Sequence, residues 1–133
     1  HACLDDGDVI LQKRHITEND EAAYVEMNTR FHGLLIEGSG SALLADTLER
    51  NSRVPFGGPQ ALAFNKDNLE QMYDLLSYAH HQHHAVVDAI ARGQCARAEA
   101  LMREHAHAVR ESIDLAGVPV ATGDTAGRLA LVR

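Results

Sequence analysis

Residues 67–116 read DNLEQMYDLLSYAHHQHHAVVDAIARGQCARAEALMREHAHAVRESIDLA. Leu69, the pair Met72 and Tyr73, Leu76, His80, His83, Val87 and Ile90 follow one another at steps of three or four residues. That spacing puts them on one face of a helix running from about Asp67 to Arg92. Gly93 breaks the pattern. A second stripe then follows, made of Ala98, Leu101, Met102, His105, Val109, Ser112 and Leu115 or Ala116. It predicts a helix over about 96–116, closed by Gly117-Val118-Pro119. Two long helices joined by a short glycine turn pack as antiparallel neighbours.

The same period continues towards the N-terminus. Residues 3–14 suit a short helix. Thr17 is the expected N-cap of the next one, with Asp20 three residues on as a variant capping box. That helix runs to about Glu37, with Tyr24, Met27, Phe31, Leu34 and Leu35 expected inward. Gly38-Ser39-Gly40 stops it. A further helix over about 41–51 is expected to turn Leu43, Leu44 and Leu48 inward. Val54-Pro55-Phe56-Gly57-Gly58-Pro59 opens an irregular loop reaching about Asn65. No strand-type alternation persists anywhere. The fold expected is therefore all-α, an antiparallel helical bundle over residues 1–119. Residues 120–133 lack periodicity and read as a C-terminal tail or arm.

Composition narrows the function. The chain has 133 residues, 45% hydrophobic, which suits one domain with a real core. Twelve Lys and Arg against 19 Asp and Glu give a formal charge of −7. A free-standing nucleic-acid binder has the opposite balance. No apolar run reaches 18 residues, so no membrane span or membrane partner is expected. Cys3 and Cys95 are far apart and form no metal-type pair, as in a reduced cytoplasmic protein. The chain starts on His1 rather than Met, as an excised or partial polypeptide would, and His1 itself reads as a possible tag remnant. Six of the nine histidines fall between residues 80 and 107.

Two of those six suggest chemistry. His83 and His105 sit on the stripes of the two long helices, about equally far from Gly93, and so face each other at matched depth. His32 is a third imidazole, and Asn28 lies one turn before it on the same helix face. Three imidazoles and one amide oxygen suit a borderline divalent metal: Zn first, with Ni, Mn or Fe as alternatives. A lone histidine on a helix stripe is more often a hydrogen-bonded core residue than a ligand. Matched depth across the hairpin and the Asn–His pair on a third helix shift the balance towards metal. His81 and His84 fall off the stripe and read as surface. His80, one turn from His83, could contact an effector. His107 must face away from His105, and His15 lies in a turn.

Other site types are weakly supported. There is no His-Glu-x-x-His pattern and no Glu-x-x-His pair. Gly57-Gly58 lacks the Lys of a phosphate loop, and Ser39 follows a helix rather than the strand a nucleophile elbow needs. Neither cysteine has an evident activating base.

Several segments resemble a known family. Asn28-Thr29-Arg30-Phe31-His32, then Ile36-Glu37-Gly38-Ser39-Gly40-Ser41-Ala42-Leu43-Leu44, resemble its (Asp/Asn)-x-x-Phe-His helix and Ser-Gly-Asn turn. Residues 83–93, HHAVVDAIARG, and 98–105, AEALMREH, resemble two later segments, in the same order and with the same 22-residue step from His83 to His105. The family is the FCD domain, the C-terminal effector domain of FadR-type GntR transcription regulators. The resemblance covers most of residues 20–112. It implies an all-helical FCD-like bundle that binds a small carboxylate effector beside a divalent metal. The ligands it implies are Asn28, His32, His83 and His105. It also implies a homodimer, with DNA bound only through a winged-helix domain outside this chain.

This sequence departs from the family pattern in three ways. The family's usual first effector helix is missing or truncated. Asn28 stands where Asp is usual, and Gln82 where Glu usually precedes the central histidine. With only neutral ligands, the ion's charge is left for a carboxylate effector to offset. Arg53, Arg30 and Arg50 are candidates to hold a carboxylate bidentately, Arg53 foremost because it borders the Pro/Gly loop. Tyr24, Tyr73 and His80 are further candidate contacts. The reading is a non-enzymatic sensor domain of a bacterial regulator. The alternatives are a small helical-bundle metalloenzyme, in which the ion activates water, and a structural bundle whose histidines are core residues.

Overall fold

The computed structural model describes residues 2–54, 58, 61–115 and 117. Among these the chain forms five helices and no strand: α1 (Ala2–Leu11), α2 (Asp20–Gly38), α3 (Ala42–Ser52), α4 (Leu69–Ala91) and α5 (Cys95–Leu115). The expected 120–133 arm and most of the Pro/Gly loop lie outside the described residues. No described helix is long and apolar enough to cross a membrane.

α4 and α5 form the long hairpin read from the sequence. Gly93 turns it at φ +66°, a left-handed conformation that costs glycine nothing extra. α1 and α2 form a second antiparallel pair, and α1 also packs along α4. Cys3, Leu4, Ile10 and Leu11 from α1 meet Tyr24, Met27 and Phe31 from α2, and Met72, Leu76 and Val86 from α4. Full burial of a side chain such as Leu4, Met72 or Leu76 contributes about 1.5–3 kcal/mol. The corner between α1 and α2 is pinned by Asp20. Its carboxylate takes Lys13 Nζ at 2.6 Å and both the N–H and the hydroxyl of Thr17 at 2.8 Å. These contacts, Lys13 foremost, hold Asp20 down at about 2.

Helix starts follow local chemistry, with one shift. Ser41 Oγ accepts from the Leu44 N–H and caps α3, and Asn68 Oδ1 accepts from Gln71 N–H and caps α4. Thr17 is not the N-cap of α2. Asn19 holds that position without a side-chain cap, and Asp20 reaches back to Thr17 instead.

The inward faces need correction too. No residue of α3 is buried, and Leu43 is 78% exposed. Leu34 and Ile90 are also exposed. The reason is that α3 packs mainly on α2 and leaves a cleft between itself and the hairpin. Leu34, Leu44, Leu48 and Ile90 line an apolar cleft of about 540 Å³ instead of filling a core.

Candidate metal centre

Three helices bring three imidazoles together. His32 comes from α2, His83 from α4 and His105 from α5. All three are buried, and one ring nitrogen of each lies within 4.8 Å of the others. His83 Nε2 and His105 Nε2 stand 3.1 Å apart. His32 Nε2 is buried with no hydrogen-bond partner. Phe31 supplies one wall, its ring 4.1 Å from that of His83 and edge-on to His32. The Phe-His pair on α2 thus sets both a ligand-type nitrogen and the surface that fixes its neighbour.

Electrostatics keep the group neutral. Burial pushes His32 down to about 4, with His105 adding to the effect. Burial and the neighbouring imidazoles push His83 to about 2, and burial also lowers His105. Neutral imidazole is the state that ligates a metal. Gln82 then sets the tautomer of His105. Its Oε1 can only accept, so His105 Nδ1 donates to it at 3.1 Å and Nε2 presents its lone pair. The group contains no carboxylate.

A divalent ion fits this donor set. Two nitrogens each about 2.1 Å from one ion stand about 3.0–3.4 Å apart, close to the separation of His83 and His105. The buried His32 nitrogen lacks the partner that such an atom normally has. Asn28, one turn before His32, is also buried and borders the same small void as His105.

The other expected contacts lie elsewhere. Tyr24 is buried and its hydroxyl donates to Leu76 O at 3.2 Å. His80 turns its Nε2 to Asp8 and meets the cluster only through an edge-on contact with the His83 ring. Arg30 pairs with Asp6 at 3.6 Å, and Arg53 with Glu49 at 3.3 Å, both on the surface. Arg50 pairs with Asp46. Tyr73 reaches Leu11 O at 3.4 Å. His32 instead opens onto the apolar cleft, with Leu35, Val86 and Met102 beside it. Sequence reasoning missed Gln82 as the partner of His105, and Asp8 altogether. Gln82's place beside His83 was a usable signal. Asp8 lies 72 residues from His80 and carries none.

The family model described as FCD domain matches residues 9–108. The chain belongs to the FCD domain family. Neither a curated protein nor a solved structure matches it. FCD domains are ligand-sensing regulatory domains of GntR-family regulators. The matched span holds Asn28 and all three clustered histidines of this FCD domain.

Proposed function

We propose that this FCD domain is the sensor of a bacterial GntR/FadR-type regulator, reading a small organic carboxylate beside a divalent metal ion. Asn28, His32, His83 and His105 would hold the ion, Zn²⁺ first, with Ni²⁺, Mn²⁺ or Fe²⁺ as alternatives. The ion would supply a concentrated positive charge that attracts a carboxylate oxygen. The observation that carries this reading is the buried trio itself: two Nε2 atoms 3.1 Å apart with a third that has no partner.

The protein's own groups do the rest. Gln82 orients His105, Phe31 fixes His83, and burial keeps the imidazoles unprotonated. With no carboxylate in the ligand set, an anionic effector is favoured to offset charge. Effector binding would shift the population of bundle packings and so the geometry of a homodimer. That shift would alter operator affinity through a winged-helix domain outside this chain. Such a sensor works in the cytoplasm. A thermal-shift screen of small carboxylates, on metal-loaded and chelator-treated protein, tests this. Saturable stabilisation without turnover, confined to the loaded form, is expected. Equal stabilisation after chelation would contradict it.

A further inference from the structure

A second set of metal-type donors stands apart from the buried trio. His80 and His84 lie one turn apart on α4, and Asp8 faces them from α1. Their Nε2 atoms lie 3.1 and 3.0 Å from the same oxygen, Asp8 Oδ1. The three donor atoms all lie within 4.8 Å of one another.

The surroundings hold these groups in place. Gly7 immediately precedes Asp8. A methyl group on Gly7 would fall on His80 Cε1 and lie 2.8 Å from His80 Nδ1. Glycine therefore lets the imidazole lie against α1 and reach the next residue. His80 is buried, with the rings of Tyr24 and His83 around it. His84 and Asp8 keep 40% and 53% of their side-chain surface, so the site is open on one side.

We propose that Asp8, His80 and His84 form a second divalent-metal site, which takes Zn²⁺ or another borderline ion and ties α1 to α4. Two imidazoles one helical turn apart chelate from a single helix, and the carboxylate completes a three-ligand set. That set leaves a position facing solvent for water or an external ligand. Nitrogen and oxygen ligands each about 2.0–2.2 Å from one ion stand about 3 Å apart, as each imidazole nitrogen does from Asp8 Oδ1. To ligate, each imidazole presents its Nε2 lone pair and carries its proton on Nδ1. In the metal-free site Nε2–H donates to Asp8 Oδ1, so an ion would replace those hydrogen bonds, whereas His80 Nδ1 is buried with no hydrogen-bond partner to lose. The site shares no residue with the buried trio, and the proposal stands independently of the sensor reading.

The test is zinc stoichiometry by equilibrium dialysis against a weak competing chelator, using the intact chain. Wild type is compared with His84→Ala, Asp8→Asn and His83→Ala, each checked for helical content. His84→Ala and Asp8→Asn are expected to bind one equivalent fewer than wild type, or to weaken one binding event at least tenfold. His83→Ala is expected to retain that equivalent. Gly7→Ala, which displaces the His80 ring, is expected to lose it. Unchanged stoichiometry and affinity in both His84→Ala and Asp8→Asn would overturn the proposal. So would wild-type binding at this site only at millimolar zinc.

Discussion

Acidifying the metal-free FCD domain from about pH 7.5 to about pH 5 should destabilise it by about 2 kcal/mol through His32 alone. His32 is 2% exposed, and its folded value of about 4 lies below the ordinary 6.5. The unfolded chain therefore binds its proton first as the pH falls. Stability is full above 6.5, declines below it, and levels off near 4. Over the whole window the loss is about 3 kcal/mol, from roughly 2.5 pKa units at 1.36 kcal/mol each. His83 and His105 act in the same direction, though contact between the rings prevents simple addition. Asp20, held at about 2, titrates below this range. Domains of this kind have only about 5–15 kcal/mol in total, so the effect is large. Urea midpoints in chelator across this range measure it. A flat profile would mean that His32 does not carry this proton linkage. So would a His32→Leu variant with the wild-type slope.

Three further outcomes follow from the same contacts. Asn28→Asp should strengthen metal binding and weaken carboxylate binding, because a charged ligand offsets what the effector otherwise would; calorimetry showing both unchanged contradicts this. Gln82→Leu removes the acceptor for His105 Nδ1 and should weaken zinc binding at the buried trio by about 10–100-fold, read by competition with a chelator. Ser41→Ala removes the cap on Leu44 N–H and should cost α3 about 1 kcal/mol. Because α3 buries none of its residues, the change should show as faster hydrogen exchange in residues 42–52, with little shift in the global melting temperature.

The α4–α5 hairpin was legible because a long amphipathic period and one glycine decide it. His83 and His105 met as the matched depth required. The trio was legible because its members lie on stripes whose inward direction follows from the period alone. The face of α3 was not. Leu43, Leu44 and Leu48 have the pattern of a core stripe, but a stripe says only that a face is apolar, not whether another element closes over it. Here a cleft lies beneath α3 instead. His80 shows the other limit. Its place on the stripe agrees with its burial. Its partner Asp8 comes from a helix far away in sequence, brought near by the α1–α4 packing that Gly7 permits. Arg30 had only its charge to recommend it, and Arg53 its charge and its place beside the Pro/Gly loop; Arg30 pairs with Asp6 of α1 and Arg53 with Glu49 one turn away.

Whether His32, His83 and His105 hold a metal ion with Asn28 is decided by elemental analysis of purified protein in a His84→Ala background, so that the Asp8 site does not contribute. One equivalent of a divalent transition metal is expected, lost in the added His83→Ala and His105→Ala variants. Protein without metal after loading, or metal content unchanged in both variants, would contradict the account.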